Sequence, residues 1–184
     1  YQHLATAHPD LVQLIASKSI VFLDSITDLT RQAMAWAKTQ PDAFSEKTGK
    51  PDTRGAYGLL AREVIGLLKH LQHAPGKTTI MVGILEKVTD EFGKVTWQPQ
   101  MEGGKAAREL PGIVDQVVTM GLFSREGDAW RYDPERGTER RFVCRAGNNF
   151  GLPAKDRSGR LDETEPADLA ALLRKINATS TNQG

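Results

Sequence analysis

Apolar positions along the chain fall into helical stripes and short unbroken runs, and the two alternate. Leu11, Leu14 and Ile15 sit at helical spacing behind Pro9-Asp10, with Pro9 suited to a helix start. The run from Ser19 to Ser25 is continuously apolar until it closes on an acid and a hydroxyl, the pattern of a strand buried on both faces. A helix is predicted over Ile26 to Lys38, with Leu29, Ala33, Met34 and Trp36 as its apolar positions. Gln40 to Asp52 is polar, carries Pro41, Gly49 and Pro51, and reads as a loop. Thr53 to His73 predicts a long helix with a stripe of Leu59, Leu60, Val64, Leu67, Leu68 and Leu71. It stops at His73-Ala74-Pro75-Gly76. Thr78 to Leu85 is a second buried strand.

The second half is less regular. Glu86 to Leu110 is a long charged connection with a hairpin expected around Phe92 to Trp97, and a connection of that length is usually functional. Ile113 to Met120 predicts a third strand. Ala129 to Tyr132 and Arg141 to Arg145 predict an antiparallel strand pair joined by a turn at Asp133 to Gly137. Asn148 to Asp162 is a basic loop, and Pro166 to Ile176 a short helix. Buried strands alternating with helices imply an α/β fold with a mostly parallel sheet flanked by helices and a C-terminal antiparallel strand pair. One domain is expected over residues 1–176, with a disordered polar tail over 177–184.

Composition changes this picture little. Of 184 residues, 39% are hydrophobic and 26% charged, ordinary for a globular protein, and the net charge of +1 points to no class of partner. A single cysteine, Cys144, excludes an internal disulfide framework and a cysteine-based zinc site, and suits a reducing cytoplasm. Mid-strand, it reads as a small buried apolar group. No apolar run approaches the ~20 residues of a membrane span. The chain begins at Tyr1 rather than Met, which we read as the mark of a processed product or a fragment.

Two segments carry candidate phosphate chemistry. Ile20-Val21-Phe22-Leu23-Asp24-Ser25 has the form of a Walker B strand. A carboxylate at the carboxyl end of a central strand faces the crevice where open α/β sheets bind ligands, and there it can hold magnesium through water against nucleotide phosphates. Pro75-Gly76-Lys77-Thr78-Thr79 has a phosphate-loop look, but the position five before Gly76 is Leu71, not glycine. It also ends a helix and enters a strand, the reverse of a true P-loop, so it reads as a turn.

Further segments fall into an ordered set. Asp24-Ser25-Ile26-Thr27, Asp52-Thr53-Arg54-Gly55-Ala56-Tyr57-Gly58, Val82-Gly83-Ile84-Leu85, Glu109-Leu110-Pro111-Gly112-Ile113-Val114-Asp115, and Gly151 to Asp162 with its Lys155-Asp156-Arg157 core follow one another from about Leu11 to about Leu173. In that order the chain resembles a family of phage-encoded RecA-like P-loop ATPases, some linked to single-strand annealing and homologous recombination. The resemblance implies a RecA-like P-loop NTPase core that uses ATP and Mg2+ between subunits and works on single-stranded DNA in the bacterial host cytoplasm. Glu86, at the end of the second strand beside where Asp24 should emerge, is expected to sense or polarise the attacking water. The resemblance assigns Asp24 to magnesium, with Ser25 assisting. It makes Lys155 and Arg157 cations that reach a neighbour's nucleotide, in a head-to-tail ring or filament of identical subunits. The loop after the second strand would face DNA, with Lys87, Lys94, Lys105 and Arg108 for phosphates and Trp97 for base stacking. The family's P-loop is missing from this sequence and is expected upstream of Tyr1, so residues 1–184 alone are expected to bind ATP poorly. The rival expectations are a non-catalytic DNA-binding or assembly module with a vestigial nucleotide site, and a helicase-type motor.

Overall fold

The computed structural model describes residues 9–89 and 91–178, which resolve into two compact units, the first ending in sequence at Ile113 and the second beginning at Val114. The first unit begins with α1 (Pro9–Ser17), β1 (Ile20–Asp24) and α2 (Ile26–Ala37). A 3-10 turn (Pro41–Ala43) leads into α3 (Thr53–Gln72), followed by β2 (Thr78–Val82), β3 (Leu85–Thr89), β4 (Val95–Pro99) and α4 (Gly104–Ile113). Two helix starts are set by their capping side chains. The Ser25 hydroxyl accepts the Asp28 N–H at 3.2 Å, and the Asp52 carboxylate accepts the Arg54 N–H at 3.0 Å. Each satisfies a donor that helix geometry leaves without an intrahelical partner.

The core of this unit is helical. α3 packs against both α2 and α4. Leu59, Leu60, Val64 and Leu68 of α3 are buried with Ile26 and Met34 of α2 and Ala106, Ala107 and Leu110 of α4. Each large aliphatic side chain so buried contributes ~1.5–3 kcal/mol. Trp36, expected on the apolar face of α2, is exposed, and Thr27 and Thr30 take buried positions instead.

β1 and β2 pair in parallel, Ile20 opposite Thr78 through Asp24 opposite Val82. This is the whole parallel sheet among the described residues; every other strand pair is antiparallel. The mostly parallel sheet expected from the sequence is therefore reduced to two strands. β1 is not buried on both faces either: Ile20 and Phe22 are 51% and 54% exposed, with Val82 beside them at 39%. The reason is pairing. A two-stranded ribbon has two open edges, and this face has no cover among the described residues.

The second unit contains β5 (Gln116–Val117), β6 (Thr119–Glu126), β7 (Ala129–Tyr132), β8 (Glu139–Val143), β9 (Lys155–Asp156), β10 (Thr164–Pro166) and α5 (Leu169–Asn177). β10, β8, β6 and β7 form one antiparallel sheet in that order, and β5 pairs with β9. β7 and β8 were expected to pair with each other. Instead β6 lies between them, placing Phe123 opposite both Tyr132 and Glu139. The tight turn is at Gly127-Asp128, where Gly127 has φ +61°, a conformation hairpin turns need and glycine adopts without strain. The expected third strand also begins later, because Ile113 ends α4. Ala106, Ala107, Leu110 and Ile113 are a helical stripe, buried together, and they carry the helix through Pro111.

Phe123 anchors this sheet, fully buried, with ring centroids 5.6 Å from Tyr132 and 5.1 Å from Phe150. Cys144, Leu161 and Leu172 form a second buried group. Cys144 lies one residue past the end of β8 rather than within it, and burial pushes its thiol up to about 12. α5 starts at Leu169, not Pro166, because Asp168 caps it by accepting the Ala171 N–H. Of the expected tail, Asn177 ends α5 and residues 179–184 lie outside the described residues.

Candidate functional site

The Walker B reading places Asp24 at the carboxyl end of β1, and the structure puts it there, exposed, on the same ribbon face as Ile20 and Phe22. Among the described residues no hydrogen bond or ion pair engages its carboxylate. Ser25 follows across a cis peptide and caps α2. A carboxylate held at a strand end without a protein partner suits a water-mediated contact to a magnesium ion carried by nucleotide phosphates. It does not suit a cage of protein ligands: no group of three His, Cys, Asp or Glu side chains that could hold a metal occurs among the described residues.

The glycine-lysine turn at Gly76-Lys77 is structural. The Lys77 ammonium donates to the carbonyls of Ile15, Ala16 and Lys18 at 2.9, 3.1 and 2.6 Å, closing the C-terminal end of α1. Its charge complements the negative end of that helix.

The connection after β2 is the expected hairpin. β3 and β4 pair from Leu85 opposite Pro99 to Thr89 opposite Val95, so Lys87 and Trp97 face each other on one side. Phe92, near the tip, is 86% exposed. Lys94 lies in the same tip, while Lys105 and Arg108 lie beyond the hairpin on α4, where Lys105 approaches Glu109 to 4.0 Å. The lysine–tryptophan pair is thus brought together on the hairpin, and the other two cations are carried by a helix.

Glu86 was expected at the end of the second strand. That strand ends at Val82, and Glu86 belongs to the hairpin, its carboxylate accepting the Gln98 amide at 2.9 Å. It lines a cavity of about 190 Å3 with Thr27, Arg31, Gln100, Met101 and Glu102. The sequence missed two residues beside it. The Thr27 hydroxyl accepts the Ile84 N–H, and the Thr30 hydroxyl accepts the Glu102 N–H, both at 3.1 Å. Their signal was readable: Thr27, Thr30, Met34 and Ala37 are one helical stripe, with two hydroxyls at core positions.

Lys155 opens the short β9 strand of the second unit, and Arg157 follows its end. The Lys155 ammonium donates to the Val114 carbonyl at 2.7 Å, and Arg157 pairs with Asp115 at 2.6 Å. Between them lies Asp156, to which the sequence reading gave no role. Desolvation pushes its carboxyl up. The Ser158 hydroxyl and the N–H groups of Leu161 and Ser158, with help from Gln116, outweigh that and hold it at about 2. Asp156 organises the loop that carries the two cations.

No helix of the described residues is long and apolar enough to cross a membrane. No curated protein and no solved structure matches the chain. A family model for an AAA domain matches residues 15–158, a span that takes in the Asp24 strand, the hairpin and the Lys155-Asp156-Arg157 turn. With most of its length so matched, the chain belongs to this family of P-loop AAA-type ATPase domains.

Proposed function

We propose that this chain is the Walker B portion of a RecA-like ATPase that hydrolyses ATP while acting on single-stranded DNA in phage recombination or replication. The observation that carries the proposal is the exposed Asp24 carboxylate, unpartnered among the described residues, at the end of a parallel strand in a chain of this family. Asp24 holds magnesium through water, and the ion supplies positive charge to the phosphates. The P-loop comes from outside residues 1–184. Its strand and helix would cover the open apolar face of Ile20, Phe22 and Val82, because parallel sheets are normally covered on both faces. Lys87 and Trp97 suit a DNA strand, one binding phosphate and the other stacking on a base, with Lys94, Lys105 and Arg108 adding positive charge. Lys155 and Arg157 act on a neighbour's nucleotide in a ring or filament.

The test is ATP hydrolysis by the longest polypeptide the gene encodes, wild type against Asp24→Asn. Hydrolysis should fall ~10–100-fold, the usual loss on removing an outer-shell metal partner. Wild-type protein without hydrolysis, yet binding oligo(dT) in a salt-sensitive, ATP-independent way, would turn the assignment to the non-catalytic module. Duplex unwinding would turn it to the helicase-type motor.

A further inference from the structure

α2 starts at Ile26, with Ser25 as its N-cap, so Asp24 stands immediately before the N-terminal end of this helix. The first turns of the helix fasten the hairpin at both ends. At its entry, the Ile84 N–H donates to the Thr27 hydroxyl; at its exit, the Glu102 N–H donates to the Thr30 hydroxyl, and Arg31 donates to the Gln100 side chain at 3.4 Å. The Thr30 hydroxyl also donates to the Thr27 carbonyl at 3.1 Å, tying the two clamps together. Entry and exit are joined in turn by the Gln100 N–H on the Ile84 carbonyl at 2.7 Å.

The fit is close as well as bonded. A Cβ at Gly83 would come within 2.9 Å of Ile26 Cγ2, so the link between β2 and β3 can lie this near the helix only with glycine there. Thr27 and Thr30 are 2% and 0% exposed, and two part-buried N–H groups, of Ile84 and Glu102, would lose their partners without them. The hydroxyls therefore lock hairpin position to helix position.

We propose that Thr27 and Thr30 are positioning residues that couple the Asp24 end of α2 to the hairpin, so that nucleotide at one alters strand binding at the other. This role presupposes the nucleotide and DNA sites proposed above. Coupling of this kind is reciprocal and is read as a ratio of affinities.

The experiment uses the longest polypeptide of the gene and the anisotropy of a labelled thirty-residue oligo(dT), with and without magnesium and a slowly hydrolysed ATP analogue. In wild type the nucleotide should change oligo(dT) affinity ~5-fold or more, within the usual range of coupling between sites. Thr27→Val and Thr30→Val should each bind either ligand alone within ~3-fold of wild type, while the change shrinks below ~2-fold. Thr27→Ser and Thr30→Ser, which keep the hydroxyl, should restore it. A merely structural role would weaken binding without erasing the ratio. If a valine variant loses its helical circular dichroism, Gly83→Ala takes its place: it displaces the hairpin entry with both hydroxyls intact, and the change should again be lost. Valine variants, or that alanine variant, with the wild-type ratio overturn the clamp. Wild-type protein that binds both ligands with no change in affinity overturns the coupling and leaves the proposed function standing. Wild-type protein that fails to bind one of them refutes the proposed function, and the coupling with it.

Discussion

Asp24 in the first unit and Lys155 and Arg157 in the second are held in opposite ways. In the first, Asp24 stands exposed at a strand end and no protein group engages it among the described residues. In the second, Lys155 and Arg157 are drawn into the unit's own fold, one on the Val114 carbonyl and the other on Asp115, around a loop that Asp156 organises. A charge with no structural duty is available for a ligand and can be altered at little cost to folding. A charge that also holds a loop must leave its partner to act elsewhere. The comparison separates residues whose loss should remove chemistry from residues whose loss should first remove structure.

The largest effect expected is purely structural. Phe123 is fully buried between two aromatic rings, and Phe123→Ala should destabilise the protein by ~3–5 kcal/mol, measured as a drop in urea midpoint. A loss under ~1 kcal/mol would mean that the second unit does not depend on this sheet core.

Next is the mirrored pair Asp156 and Asp24. Asp156→Ala removes the acceptor of two backbone N–H groups and a hydroxyl, and should cost ~2–3 kcal/mol. The sign with pH follows from the direction of the shift. The folded carboxyl lies at about 2 against an ordinary 3.8, so its contribution is complete above pH 3.8 and is lost as pH falls through 2. Urea midpoints of wild type should fall over that window more than those of Asp156→Asn, which has no carboxyl there to protonate. Asp24→Asn should do the reverse, leaving the midpoint within ~0.5 kcal/mol of wild type while hydrolysis collapses. A large stability loss at Asp24 would erase the contrast between the units.

How much of this was legible in the sequence follows the same division. The helices over 26–38 and 53–73, the Asp24 strand and the hairpin were readable because local signals agreed: caps, apolar stripes and a glycine-proline stop. Sheet partners were not. Nothing local in Ala129 to Tyr132 or Arg141 to Arg145 says that β6 lies between them; that depends on Phe123 finding Tyr132 and Phe150 across the unit. The α4 stripe makes a helix through Pro111 where a charged connection was expected up to Leu110 and a strand from Ile113, because burial of Leu110 and Ile113 outweighs one missing N–H. At the site, Asp24 announced itself by its place after an apolar run. Asp156 did not, since its role comes from N–H groups folded around it, and the segment reads in sequence only as a basic loop.

The smallest expected effect tests whether Arg157 is bound firmly to its own unit. Its pair with Asp115 is short at 2.6 Å, but both side chains are more than half exposed. Water screens such a pair, and ordering two long side chains offsets part of the attraction, so exposed pairs contribute ~0–1 kcal/mol. A double-mutant cycle with Arg157→Ala and Asp115→Ala should therefore give a coupling below ~1 kcal/mol, weaker at high salt. At that value the guanidinium can leave Asp115 for a neighbouring subunit's nucleotide with little loss, and Arg157→Ala should lower hydrolysis far more than stability. A coupling of ~3 kcal/mol, insensitive to salt, would make Arg157 a structural strut like Asp156. The role in trans would then rest on Lys155 alone.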